Sequence, residues 1–548
     1  MRIVDGRSNV PSVGRVRAAA AGSTALRPTA RPRGMPMPGA RAFDAAKTDR
    51  LTGAWGTEPM PADQIIIRHQ RVLVARSREQ STNNDHLKGY IASVARNVVG
   101  SSGVILQAQC VNSQGKPDLP ARAAVEAAWR EWGRKANACV KGQRSFRLQQ
   151  KLAIRSAAIN GEFMVRKIYG ADAGPWGFAL QFIDPQRCPP MLCEDRLPGG
   201  GFIRCGIEFN KFGRPLAYLL QTANEHEADR TYGGRSYVRV PAGEIIHAFL
   251  EDIEGQRRGL PWGATALWRL QMLSQFEKAA LVNARVGASK GGFFEWRDGF
   301  TPSFEGEEDD GEEREPLQMS AEPGEFEELP VGLTFKEWNP QYPTGDLAPF
   351  LKAMLRGAAS GLGVAYNSFA NDLEGVNFSS IRQGVLDERE AWMELQEWFI
   401  EAFHERVFEA WLDVALLAGR ITVGGTPVPA ARREKYRAVR WQGRRWSWVD
   451  PVKDIQSRRE SQKGLLSSPG EAIRETGRDP IEVYTEFAGD LEAMKAAGIP
   501  DKFIEAAFAG AVAGGAPGKP GAPGAPSKAD PPADDEDDEG TDDGEGEV

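Results

Sequence analysis

At 548 residues with 41% apolar residues, the chain can bury an ordinary core and has room for two to four domains. No window nears the roughly 18 uninterrupted apolar residues of a membrane helix, and the N-terminus lacks the apolar core of a secretory signal, so the expectation is a soluble protein, intracellular when made. The net charge of -7 becomes +4 once the eleven acids of residues 529–548, a stretch without a base, are set aside, which describes an acidic tail on a near-neutral body.

Residues 1–40, rich in Arg, Pro, Ala and Gly, have too little apolar pattern to offset the entropy of ordering and read as a disordered basic arm. An amphipathic helix is expected over 63–80. ASVARNVVGSSGVILQAQ (92–109) predicts a helix stopped at Gly100 and then a strand, and AAVEAAWREWGRKA (123–136) predicts another helix. From Lys151 to Asp252 the rhythm shifts to short runs such as EFMVRKIY, FALQFID and PLAYLLQT, with NKFGRP (210–215) as a hairpin connection, so this region reads as β-rich.

Helix returns over 261–292, with Pro261 early and Gly291-Gly292 as the stop. The stretch 301–342 reads as loop and contains the acidic FEGEEDDGEERE (304–315). A striped helix follows over 346–362, with Leu351, Leu355, Ala358 and Leu362 on one face and Lys352 and Arg356 on a neighbouring one. GVAYNSFANDLEGVNFSS (363–380) lacks helical and strand periods, and Gly361, Gly363 and Gly375 let the backbone turn there. The longest helix is expected from about Ser380 to Ala418, with Ser379-Ser380 as cap residues, a stripe of Trp392, Leu395, Phe399, Phe403, Val407, Ala410, Val414 and Leu417, and Gly419 as its stop. ITVGGTPVPA suggests a short hairpin, a small helical module follows, and 512–548 reads as a disordered linker and tail.

The search for chemistry returns little. There is no G-x-x-x-x-G-K-[ST] phosphate loop. GASKG (287–291) matches a nucleophile elbow only on paper, because Ser289 would sit at a helix end and not between strand and helix. Five cysteines (Cys110, Cys139, Cys188, Cys193, Cys205) are an odd, scattered set, read as reduced thiols, and Cys188, Cys193 and Cys205 with His226 fit no standard zinc spacing. His247 and His404 read as satisfied, partly buried imidazoles. Asp372 and Glu374 form a carboxylate pair that a metal-dependent nuclease would need, but such an enzyme also needs further acids converging from other elements. No catalytic residue, cofactor or metal is assigned.

A series of motifs in order does carry a resemblance: ARSREQSTNND (75–85) before ARNVVG (95–100), LQFIDP (180–185), GIEFNKFGRPLAY (206–218), VPAGEIIHAFLEDIEGQRRGLPW (240–262) and YNSFANDLEGVNFSSIRQG (366–384). Over roughly 40–500 the chain resembles the lambda-type portal proteins of tailed bacteriophages and prophages. The resemblance implies an α+β portal-type fold: wing 41–260, stem helix 261–292, clip 293–343, second stem helix 344–362, tunnel loop 363–380, long wing helix 381–420, and C-terminal wing and crown 421–511. It also implies a non-enzymatic ring, usually dodecameric, at one capsid vertex of the virion, assembled in the host cytoplasm, through which double-stranded DNA is packaged and ejected without sequence reading. Implied partners are the terminase large subunit, the major capsid or scaffold protein and a head-tail adaptor, with no membrane. Asn367, Asn371, Asp372, Glu374 and Asn377 would line the channel as tunnel-loop residues. Lys278, Arg285, Lys352 and Arg356 would either face DNA or pair with acids of the next subunit, and the sequence leaves both open. A metal-dependent nuclease and another head or neck component stand as alternatives.

Overall fold

The computed structural model describes residues 50, 56–222, 237–288, 292–296, 333–337, 347–374, 378–446 and 451–504. The basic arm 1–40, the acidic stretch 304–315, the tail 512–548, His226, Ser289, Gly291, Gly375 and Asn377 lie outside them. Residues 1–60 form one unit and 61–548 a second, which holds the elements below.

Helices α1 (Ala62–Asn83) and α2 (Asp85–Val98) open the body, separated by Asn84, whose side chain accepts the Leu87 amide and so caps α2. Gly100, at φ +76°, turns the chain out of α2 and into strand β1 (Ile105–Ala108), as the sequence predicts. Then come α3 (Leu119–Trp132), a single turn α4 (Lys135–Ala138) and α5 (Phe146–Asn160). The predicted helix 123–136 therefore starts four residues earlier, because Asp118 accepts the Ala121 amide and Pro120 suits the first turn.

The β-rich region is two antiparallel sheets. Strands β2 (Glu162–Tyr169) and β3 (Phe178–Ile183) form a hairpin. β4 (Phe202–Arg204), β5 (Ile207–Phe209), β6 (Pro215–Gln221) and β7 (Tyr237–Pro241) form a meander, and β8 (Ile245–Phe249) returns to β2, giving the orders β3-β2-β8 and β4-β5-β6-β7. The connection at Asn210–Gly213 is the predicted hairpin turn, with the Asn210 carboxamide accepting the Phe212 and Arg214 amides and Gly213 at φ +80°.

Helix α6 (Leu267–Ala288) leads into β9 (Gly292–Trp296), which pairs with β10 (Leu333–Glu337) before α7 (Leu347–Leu362). The sequence reading missed this two-stranded ribbon, since 36 residues lie between its paired ends Trp296 and Leu333, too many for a local hairpin pattern to show. A short α8 (Tyr366–Ala370), α9 (Phe378–Phe399), a π-helical turn over Ile400–Glu405 and α10 (Arg406–Leu417) follow. The glycine hairpin β11 (Thr422–Val423) and β12 (Thr426–Pro427), α11 (Arg433–Arg437) and β13 (Val439–Gln442) return the chain to β1, and α12 (Pro451–Lys463), α13 (Pro469–Glu475) and α14 (Pro480–Ala496) form the C-terminal module.

The π-turn corrects the single predicted stripe. One residue inserted into a helix rotates everything after it by about 100°. Trp392, Phe399, Phe403, Val407 and Ala410 are buried as expected, but beyond the turn the buried face widens to Phe408, Trp411, Leu412, Ala415 and Leu416, centred one residue on from the predicted series, and Leu417 is 78% exposed. The repositioned face packs an aromatic cluster of Trp129, Trp132, Phe146, Phe403, Phe408 and Trp411. His404 lies within it with Nδ1 at 3.3 Å from the Phe399 carbonyl and, among the described residues, nothing on Nε2, so it is only half satisfied.

The centre of the β-rich half is ionic. Glu162, Arg258 and Gln70 are fully buried. All five Arg258 donors are used: Nε and Nη2 reach Glu162, Nη2 the Pro185 carbonyl, and Nη1 the Cys188 and Cys205 carbonyls at 2.6 and 3.0 Å. Glu162 further accepts Gln70 Nε2, the Gly259 amide and His247 Nε2 at 3.1, 3.0 and 2.9 Å. Burial alone would raise the Glu162 carboxyl, but Arg258 and His247 outweigh it and hold it at about 2. Burial lowers His247 despite Glu162, so the imidazole is neutral at pH 7, donates from Nε2–H to Glu162 and accepts the Tyr218 hydroxyl on Nδ1. Gly161, at φ +85°, and Gly259 permit this meeting, since a Cβ on either would strike the backbone of the other segment.

Two stability predictions follow from these buried groups. Removing one partner of a fully buried ion pair strands the other charge, so Glu162→Gln and Arg258→Met should each cost roughly 3–5 kcal/mol, read as a lower denaturation midpoint, whereas the exposed Arg134→Gln should shift it little. Acid should weaken the fold in two stages. Burial lowers His404 to about 3, so the unfolded chain takes up its proton first, and stability falls as the pH drops from about 6.5, with His247 adding in the same direction. Glu162 adds its loss only from about 4.5 down to about 2. Melting temperature measured from pH 8 to pH 4 should decline below about pH 6.5, and His404→Phe should flatten that decline.

Candidate functional site

Helices α6 and α7 lie side by side and antiparallel. Thr265, just ahead of α6, donates to the Gly361 carbonyl at 3.1 Å, Arg269 lies over Gly357, and Phe276 meets Phe350 with ring centroids 5.4 Å apart. A Cβ on Gly357 would collide with the Arg269 guanidinium and one on Gly361 would come within 2.9 Å of Thr265 Oγ1. Gly361 thus serves close packing and not the turn expected of it, while Gly363, at φ +66°, does turn the chain.

The segment after α7 is more ordered than its sequence suggests. Tyr366–Ala370 form a helical turn, a length too short to stand on propensity, held because Phe369 is buried and faces His86 of α2 at 5.4 Å. Asn371 takes the left-handed conformation, φ +53°, and ends the turn. α9 begins at Phe378, so Ser379 and Ser380 fall in its first turn and do not cap it.

Five polar contacts fold 366–374 back on its own chain. Lys352 Nζ lies 3.3 Å from Asp372 and 3.2 Å from Glu374. Tyr366 Oη donates to Asp372 at 2.7 Å, the Glu374 amide donates to the same carboxylate at 3.0 Å, and Ser368 Oγ donates to Glu388 of α9 at 2.7 Å. The Arg356 guanidinium sits 5.3 Å above the Tyr366 ring. The Tyr366 hydroxyl, the Glu374 amide and Lys352 hold the Asp372 carboxyl below its usual range, and Glu374 and Asp372 raise Lys352.

Lys352 and Arg356 therefore have a third arrangement besides the two weighed from sequence: both contact residues 366–374 of their own subunit. Lys278 and Arg285, on α6, are exposed, as are Asn371 and Glu374, and Asn367 is half-buried. Asp372 and Glu374 converge on an ammonium group, and among the described residues no three His, Cys, Asp or Glu side chains gather as a metal set. Cys188 and Cys205 are buried free thiols, raised by burial to about 11 and about 12, and Cys193 is exposed.

Sequence reasoning missed Arg269, Thr265 and Gly357 at the helix crossing and Tyr366 and Ser368 in the latch. The small-residue spacing Gly357-x-x-x-Gly361 was the available signal for the crossing.

Comparison with known proteins first sets the class. The chain is 31% identical over 469 residues to the probable portal protein of Halomonas phage phiHAP-1, covering 84% of this chain and 88% of that one. It is 22% identical over 507 residues to portal protein B of Escherichia phage lambda, covering 83% and 90%. These are phage portal proteins. More narrowly, the chain belongs to the lambda family of phage portal proteins, whose family model matches residues 48–396. Among solved structures, the neck of an empty gene transfer agent particle aligns at 13% identity over 79% of this chain and 99% of that one, with a TM-score of 0.38.

Because the latch contacts are exposed, salt should screen them and loss of the ammonium should release the segment. Lys352→Met is expected to speed amide hydrogen exchange at Leu373 and Glu374 in low salt, with wild type approaching the variant in 1 M NaCl. Exchange at Phe369, held by packing, should change little.

Proposed function

We propose that this portal protein works as a ring of identical subunits, dodecameric, at one capsid vertex of the virion, and forms the channel for double-stranded DNA during packaging and ejection. The role is structural and non-catalytic. α6 and α7 act as the paired stem helices within 261–292 and 344–362, 293–343 as the clip where the terminase large subunit and later a head-tail adaptor dock, and 421–511 as the C-terminal wing and crown. Capsid or scaffold protein meets the ring at the vertex, and assembly takes place in the host cytoplasm.

One observation carries the ring: α6 exposes Trp268 at 73%, Leu281 at 71% and Val282 at 60%, alongside Met272. A helix with apolar side chains around so much of its surface is stable in water only when something covers it, and identical neighbours in a closed, head-to-tail arrangement supply that cover to every copy at once.

Residues 363–380 serve as the tunnel loop, with Asn367, Asn371, Asp372, Glu374 and Asn377 towards the channel. A sliding polyanion is held back by dense phosphate neutralisation, and each phosphate contact deepens the dependence on salt. The latch favours this reading, because Lys352 spends its charge on Asp372 and Glu374 and presents DNA with a neutralised group. Lys278 and Arg285 remain as the exposed stem cations, facing DNA or the next subunit.

Electron microscopy of the purified protein should give rings with an axial hole, and Leu281→Glu with Val282→Glu should leave folded monomers. A wild type that stays monomeric under all assembly conditions would defeat the reading. Deleting 371–374, which spares buried Phe369, should leave rings intact and lower DNA packaging or retention.

A further inference from the structure

A cleft of about 630 Å³ opens between α1, α5 and β3. Four cations line it: Arg78, Lys141, Arg144 and Arg155. Its acid, Asp184, is taken by Arg78 in a paired contact at 2.6 and 3.1 Å. Among the described residues no carboxylate lies within ion-pair distance of Lys141, Arg144 or Arg155.

Shape adds direction to the charge. Leu152, Arg155, Ser156 and Ile159 face the cleft from one stripe of α5 that runs roughly 10 Å along the helix, and Arg144 lies just ahead of its first turn. Along the bottom runs β3, the edge of its sheet. The Phe178 carbonyl accepts Trp132 Nε1 at 2.9 Å and the Leu180 carbonyl accepts the Val140 amide at 3.3 Å, so these alternate residues point their backbone groups away from β2. Phe182 is the next in that alternation, and among the described residues no backbone group pairs with it on that side. With Leu180 already bridged to Cys139, the open part of the edge is at Phe182. Beside three cations without a carboxylate partner, it fits an extended acidic peptide, which would gain a backbone contact at Phe182 and carboxylate contacts from the walls.

We propose that the occupant is this chain's own acidic tail, residues 529–548, docked along β3 in the cleft of its own or a neighbouring subunit. The tail's eleven acids come without a base, and residues 533–548 contain no proline to interrupt strand pairing. Six acids in a row, Asp534 to Glu539, give either face of an extended strand three carboxylates at alternate positions, about 7 Å apart. The 25 residues from Ile504 to Ala529 can span about 80–90 Å, so the tail is not held to its point of departure. Docking in a neighbour's cleft would link adjacent copies through a contact separate from the stem.

Carbodiimide coupling of the full-length protein, which joins a lysine amine to a carboxylate only in direct contact, tests this by mass spectrometry. Lys141 should be the dominant tail-linked lysine outside residues 495–528, and its yield should fall at least fivefold in Arg144→Glu/Arg155→Glu and in 1 M NaCl. Mixing isotopically labelled and unlabelled protein separates own from neighbouring cleft. Hydrogen exchange at Phe182 should be slower in the full chain than in one ending at residue 528. Tail crosslinks spread evenly over exposed lysines, or a Lys141 yield indifferent to the double reversal, overturn the proposal. So does Phe182 protection that persists without the tail, or a 20-base-pair DNA duplex that binds the cleft while the tail does not crosslink. The reversed side chains are exposed or half-buried, and an unchanged melting temperature in the double variant confirms that the fold is intact.

Discussion

The body of this protein depends on one buried guanidinium. Arg258 carries a full charge with no solvent contact, a condition that costs several kcal/mol unless every donor is met. Meeting them requires a carboxylate from β2, a helix-borne amide from α1 to complete that carboxylate, and carbonyls from the loops at Pro185, Cys188 and Cys205. Each loop must be in place for the charge to be tolerated, so the ion pair acts less as glue than as a test of arrangement: a sheet shifted in register would leave a stranded charge. Its neighbour Arg257 points the other way, pairing with Asp63 and lying over the Phe209 ring at 5.2 Å, so two consecutive arginines lock α1 to the β-rich half from inside and outside.

The motif series through which the family was recognised turns out to spell much of this arrangement. ARSREQSTNND supplies Arg78 and LQFIDP its partner Asp184, GIEFNKFGRPLAY supplies Tyr218, and VPAGEIIHAFLEDIEGQRRGLPW supplies His247, Gln256, Arg258 and Gly259. Read singly, these are charged or polar words in β-rich text, and periodicity assigns them to turns and strand ends. What makes them one site is contact across as many as 189 residues, from Gln70 to Gly259, to which local pattern is blind. His247 was read as a satisfied imidazole from its apolar surroundings, and that holds, but Glu162, the acid that satisfies it, had no local signal beyond opening a strand after a glycine.

Helices were legible where one face alone decides the pattern, as in α7, and misread where geometry departs from 3.6 residues per turn. The π-turn at Ile400–Glu405 is invisible to a stripe count because an inserted residue keeps Val407 and Ala410 buried while adding Phe408, Trp411 and Leu412 to the core and turning Leu417 out. The segment 363–380 was misread for the opposite reason. Its composition has no period, so only tertiary burial of Phe369 makes a helix of Tyr366–Ala370, and Lys352, 20 and 22 residues before Asp372 and Glu374, gathers the acids that local reading set side by side as candidate metal ligands.

The contacts are graded by solvent, and the grading suits the ring we propose. Around Arg258 every charge has a buried partner and salt cannot reach, which holds the β-rich half in a fixed arrangement. At the end of α7 the same charge types meet in the open, with Lys352 37% exposed and Glu374 84% exposed, so their attraction is weak and screened. A loop anchored by one buried phenylalanine and tied down by exposed ion pairs can yield at its tip without disturbing the helix that bears it. Exchanging the two chemistries would fail at both ends: a buried pair at Lys352 would lock the loop, and an exposed pair at Arg258 would leave the sheets free to slip.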